Sequence, residues 1–235
     1  MSEPTFGVPP VSGHADPPGE SPWVMQLVVQ VNKTDPPTRT AACAAAAVAT
    51  VLLLTDERAL PGGSWAASVD RWMAGRIRKH ARRARGVAWD RVALLPGVTV
   101  DSGGARVRVF VPCSMDAIPA DVARLQMSGL ELDDPDAVAD VLAVPAGPVV
   151  VSICPHPRLP AGKAVAAAAH GAQLAAMRMS PARLALWAAA GFPVALEQPP
   201  VSAWEILRRR AQVVVVDAGL TSVAPGTVTA LARWA

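Results

Sequence analysis

Two stretches of this 235-residue chain follow one plan: LVVQVNKTDPPTRTAACAAAAVATVLLL from Leu27 and VVSICPHPRLPAGKAVAAAAHGAQLAAM from Val150. Placing Arg39 on Lys163 sets Val29 on Ile153 and Pro36 on Pro160 without a gap. An internal repeat constrains a fold strongly, because both copies must build the same unit. Each copy reads as a short apolar strand, a Pro-rich loop, one basic residue and an Ala-rich helix.

The copies also continue alike. A second strand follows in each, RVRVFVP from Arg106 and PVALEQP from Pro193, then a helix, then an apolar segment ending in acid. Those endings are LELDD (Leu130–Asp134) and VVVVD (Val213–Asp217). Four consecutive valines predict a central strand buried on both faces. The expected class is α/β, built from two tandem small mixed-sheet units with a helix layer on each side. The expected organisation is a Pro-rich disordered tail over residues 1–22, one unit over 23–146 and another over 147–235.

On that alignment the first copy carries a helical insertion over about residues 56–95. It contains RWMAGRIRKHARRAR, in which Arg71, Arg76, Arg78, Lys79, Arg82, Arg83 and Arg85 stand with no acid among them. Trp65, Val69, Trp72, Met73 and Ile77 recur at helical spacing, predicting an apolar stripe under a cationic face. Such a face is either merely solvated or meets a polyanion, for which nucleic acid is the natural candidate.

Three cysteines lie far apart with no paired Cys or His spacing, so neither a disulfide framework nor a metal site is expected. The tail lacks an apolar signal-peptide core, and the Ala-rich run Thr40–Thr55 is shorter than the roughly 20 residues of a membrane span. These features predict a soluble, cytoplasmic protein without a membrane partner. Arginine far outnumbers lysine, with Lys33, Lys79 and Lys163 alone holding the shorter cation, so a retained lysine carries more information than an arginine.

Chemistry concentrates in the second copy. Gly162 is expected to free the backbone before the Ala-rich helix, and Lys163 stands at its first turn, against the helix dipole. His170 follows almost two turns later. Asp217 ends the valine strand, where open α/β sheets place ligands. Gly219 permits a turn, Thr221 offers a hydroxyl, and Pro225-Gly226 form a second turn before the last strand. Taken alone, these residues read as a turn, its cap and a solvated lysine.

Together they resemble the peptidyl-tRNA hydrolases of the archaeal and eukaryotic type. Gly162, Lys163, Ala166 and His170 match that family's Gly-Lys helix, and Trp187 and Gly191 match its next helix and glycine. Asp217, Ala218, Gly219 and Thr221 match its Asp-Ala-Gly-x-Thr; Ala224, Pro225, Gly226 and Thr227 match its Ala-Pro-Gly-Ser/Thr. The resemblance spans about 85 residues. It departs at Ala167–Ala169, where the family carries Gln-Cys-Ser, and at Cys154, where it carries Arg. In the first copy Arg39 replaces the lysine and Ala46 the histidine.

The resemblance implies hydrolysis of the ester between a peptide and the 3′ ribose of tRNA, with no cofactor. It implies a dimer-like fold, so the tandem chain is expected to be a covalent pseudo-dimer whose first half is degenerate. Lys163, Asp217 and Thr221 become the expected catalytic residues, with His170, Gly162, Gly219, Pro225 and Gly226 lining the substrate site. The seven basic residues at 71–85 become the expected tRNA contacts. Two alternatives stay open: a non-catalytic RNA-binding module, and a structural or regulatory protein with no RNA partner.

Overall fold

Trp23–Gln30, apolar apart from two glutamines, forms β1, whose six central residues are buried. The computed structural model describes residue 16 and residues 19–134, 149–219 and 223–235. After β1 come α1 (Arg39–Thr55), α2 (Ala66–Met73), β2 (Arg78–Ala84), α3 (Val87–Ala93), β3 (Gly97–Ser102), β4 (Ala105–Phe110), β5 (Cys113–Ser114) and α4 (Ala120–Ala123). The remainder holds β6 (Val149–Ile153), α5 (Ala161–Arg178), α6 (Pro181–Ala189), β7 (Val194–Glu197), α7 (Val201–Arg210), β8 (Val213–Val216) and β9 (Val228–Arg233). The fold is α/β with two mixed sheets.

The first sheet runs β2-β1-β4-β3, with β5 beside the start of β1. The second runs β7-β6-β9-β8. In each, the outer pair is parallel (β1 with β2, β6 with β7) and the remaining pairs are antiparallel. A parallel pair needs a crossover, and the two helices between its strands supply it on each side. Apart from β5 and α4, the elements therefore correspond in order, as strand–helix–helix–strand–helix–strand–strand. Local details repeat as well. Trp72 Nε1 donates to the Arg78 carbonyl at 3.0 Å, and Trp187 Nε1 to the Pro193 carbonyl at 2.9 Å. Ile77 (φ 45°) and Phe192 (φ 56°), each just before that carbonyl, share a left-handed backbone rare for such side chains.

This correspondence corrects three expectations. Residues 56–95 are no insertion, because α2, β2 and α3 have counterparts in α6, β7 and α7. The stretch 71–85 is not one helix: α2 ends at Met73 and the chain turns at Ile77. From Arg78 it is a strand held by its parallel pairing to β1. The strand at Arg106 answers to β9 rather than to β7, and the acid answering to Asp217 is Asp101, in VTVDSGG at the end of β3. Leu130–Asp134 forms no strand. The expected boundary at 146/147 lies outside the described residues, as do residues 1–15, 17 and 18 of the tail expected over 1–22.

The alanine-rich helices α1 and α5 form the centre. Each lies on its own sheet and against the other helix, α5 also meets β2, and α1 also meets β7. Small side chains let helix axes approach closely, and Ala42, Ala45, Ala46, Ala164, Ala168 and Ala172 are all fully buried. One continuous apolar cluster joins the two halves, reaching from Met25 and Trp72 to Trp187 and Ala232. Among the described residues, no helix is long and apolar enough to cross a membrane.

Candidate active site

Helix α5 leaves the C-terminal end of β6, with Pro160 at its N-cap and Lys163 in its first turn. Strand β8 runs in the same direction as β6, since both are antiparallel to β9, so its C-terminal end lies at the same rim. Lys163 Nζ and an oxygen of Asp217 form an ion pair there. Their side chains are 17% and 14% exposed, so water reaches both. The carboxylate offsets the unfavourable placement of a cation at a helix N-terminus.

Asp217 is itself held in place. Its Oδ1 accepts the Gly219 N–H at 2.8 Å, its own N–H donates to the Thr227 carbonyl at 2.8 Å, and its carbonyl accepts from Gly226 N–H at 2.9 Å. Gly219 has φ 76°, and a Cβ there would lie 2.3 Å from the Pro225 ring. The Asp-Ala-Gly and Ala-Pro-Gly turns are thus one packed unit. Thr221 lies outside the described residues. The valine strand is not central: β8 is the sheet edge, and Val216 is 58% exposed. The carboxylate is delivered by an edge, which is what leaves it accessible.

Gly162 does not free a pre-helical backbone. It lies inside α5, where a methyl group would make only ordinary contacts at 3.7–3.9 Å with Ala81 and the Met127 carbonyl. His170 lies further along α5. Burial, then the positive charges of Lys79 and Lys163, hold its pKa well below the usual imidazole range.

The basic segment is not a single cationic face. Strand alternation sends Arg78, His80 and Arg82 one way and Lys79, Ala81 and Arg83 the other. Arg71 pairs with Glu20, and Arg78 with Asp16 at 2.5–2.7 Å. Arg82 is buried, donating to Gln26 Oε1 at 2.8 Å and to the carbonyls of Ala123 and Leu125. Arg83 donates to Gln126. Lys79 donates to Gln173 of α5 and lies 4.8 Å over the Trp72 ring. Arg76 and Arg85 remain exposed.

At the positions departing from the resembled family, Ala167 is buried and Cys154 is buried with its thiol donating to the His156 carbonyl at 3.0 Å. In the first half the corresponding rim is altered. Arg39 is 3% exposed, its N–H donates to the Asp133 carbonyl at 3.3 Å, and Thr40 N–H donates to Asp134 Oδ1 at 2.8 Å. Asp101 pairs with Arg106 at 2.5–2.8 Å instead of with Arg39. Ala46, where the second half has His170, is fully buried.

Sequence reasoning missed the seam formed by Lys79, Trp72 and Gln173. The available signal was lysine scarcity, which singles out Lys79 beside Lys163. No protein-family model, curated protein or solved structure matches the chain.

Proposed function

We propose that the chain hydrolyses the ester joining a peptide, or an N-blocked amino acid, to the 3′ end of tRNA. The observation that carries this reading is the Lys163–Asp217 ion pair at an accessible sheet rim, with its carboxylate fixed by two interlocked turns. That arrangement suits an ester, whose cleavage needs an electrophilic partner for the developing oxyanion. Water adds to the ester carbonyl, and the Lys163 ammonium takes up the negative charge on the carbonyl oxygen. Collapse breaks the bond to the ribose oxygen, which leaves as the 3′-hydroxyl with one proton of the attacking water, while the peptide leaves as a carboxylate and the second water proton passes to solvent. Asp217 holds the ammonium in line, and Thr221 is proposed to orient the water.

In this reading the chain is a covalent pseudo-dimer, supported by the shared strand order and the α1–α5 seam. The first half is the non-catalytic partner, since Arg39 at its rim is buried and the corresponding carboxylate, Asp101, pairs with Arg106 instead. The tRNA contact falls to the exposed Arg76 and Arg85, the other basic residues of that segment being engaged inside the molecule. Arg208–Arg210 end α7 at the start of β8, the opposite rim from Asp217, and are not assigned to it.

A catalytically silent RNA-binding module is the second reading, favoured by Ala167 and Cys154 at the family's Gln and Arg positions. Release of tRNA from an N-blocked aminoacyl-tRNA separates the two. Wild-type release, reduced about 10²–10³-fold by Lys163→Ala, is the expected outcome. No release by wild type together with salt-sensitive tRNA binding selects the binding module.

A further inference from the structure

We propose that the first half completes the second half's site with a nucleotide subsite, in which Arg83 takes a phosphate and Met127 an adenine base beside Lys163. This deepens the ester-hydrolase reading and rests on it for the identity of the nucleotide, the terminal adenosine of the tRNA that carries the ester.

The geometry starts at Gly162, the residue before Lys163 on α5. A methyl group there would lie 3.7 Å from the Ala81 side chain and 3.8 Å from the Met127 carbonyl, both contributed by the first half. Strand alternation places Arg83 on the same side of β2 as Ala81, and two strand residues span roughly 7 Å, a length of the order of one nucleotide. Residues 126–129 are tied to this end of β2. Arg83 N–H donates to the Gln126 carbonyl at 3.0 Å, and Nη2 of its guanidinium donates to the Gln126 side chain. Gly129, at φ 65°, lies against the guanidinium, where a methyl would come within 3.3 Å of Nη2. Leu130 and Leu132, buried in the shared core, anchor the chain just beyond. Arginine and methionine are thus fixed to one another and to the start of α5.

The chemistry of this corner suits a nucleotide. Arg71 and Arg78 are paired with carboxylates and Arg82 is buried, whereas Arg83 is half-buried and its side-chain partner is a neutral amide. Among the described residues no carboxylate cancels its charge, and a guanidinium has further N–H groups to offer a phosphate. Met127 is 53% exposed, a polarizable apolar side chain that can adapt to the face of a base. Lys163 is held by Asp217, and Cys154 at the end of β6 supplies no cation, so the phosphate is left to Arg83. Asp133 and Asp134, further along the segment, are engaged by Arg158 and by Thr40 and Gln198. The first half is then part of the site and not only its support.

The test uses the full chain and adenosine 5′-monophosphate, with adenosine as the phosphate-free control. Each is titrated while the methionine methyl signals are followed by NMR, Met127→Leu assigning the signal of Met127. Wild type is expected to bind the nucleotide about tenfold more tightly than the nucleoside, with the Met127 methyl shifting in both titrations. Arg83→Gln brings the two affinities together, Arg83→Lys restores part of the preference, and Arg83→Met is read in the same way if Arg83→Gln does not fold. Met127→Ala weakens both ligands. In the ester assay the loss caused by Arg83→Gln falls on KM for N-blocked aminoacyl-tRNA rather than on kcat, and it shrinks when the ester is carried by adenosine without its phosphate. A wild type that binds nucleotide and nucleoside alike, a folded Arg83 variant that keeps the preference, or a Met127 methyl that does not move overturns the proposal. Nucleotide binding as expected in a wild type that releases no tRNA removes the hydrolase reading and leaves the subsite standing.

Discussion

At the scale of single residues, His170 stands half-buried on α5 with its protonation disfavoured chiefly by desolvation, and this has a consequence for stability. The native state resists protonation of His170, whereas the unfolded chain takes up the proton near the usual value of about 6.5. A depressed native pKa makes stability full above the unfolded value and lost as pH falls towards the folded one. His80, half-buried and beside Arg82 and Arg78, contributes with the same sign. Urea midpoints measured from pH 7.5 down to about 5 are expected to fall steadily, and His170→Asn is expected to flatten that decline in part. A slope unchanged by the substitution contradicts the assignment. Lys163 and Asp217 were legible in the sequence because each sits in a short motif whose turn is made locally. Lys79 was not, because its partner Gln173 is reached only once β2 is laid across α5.

At the scale of elements, the chain shows where pattern reading succeeds and where tertiary pairing overrides it. The Ala-rich helices stand where composition and the Pro-rich loops predict them. The basic run 78–84 carries no apolar alternation, so nothing local marks it as a strand. Its conformation comes from the ladder with β1, which overrides a weak local preference. The same error moved the first half's strand-end acid to Leu130–Asp134, although VTVDSGG repeats the plan of VVVVDAG. The turn unit after β8 gives a sharp prediction. Gly219→Ala places an L side chain in the left-handed region, costing about 1–2 kcal/mol, and drives a methyl into Pro225. It should lower the melting temperature and, by parting the two turns that fix Asp217, reduce ester cleavage more than tRNA binding. Wild-type activity in the Gly219→Ala variant would show that the interlocked turns are not needed to hold the carboxylate.

At the scale of the whole molecule, two sheets of the same order and sense share a core through α1 and α5, and each half lays its parallel edge strand over the other's helix. The repeat was visible in the sequence through the first strand, loop and helix, where no gap intervenes. Beyond that helix, different loop lengths hid the element-by-element match. One sheet rim carries the Lys163–Asp217 pair, and the other has been rebuilt around Arg39, Asp134 and Asp101. The central claim is that the ammonium and the carboxylate act as one unit on an ester. A double-mutant cycle on the release of tRNA from an N-blocked aminoacyl-tRNA tests it directly, comparing wild type, Lys163→Met, Asp217→Asn and the double variant. Groups acting as a unit are strongly non-additive, so the double variant is expected to be no slower than the slower single one. Losses that add independently, or single variants that retain the wild-type rate, would contradict the account.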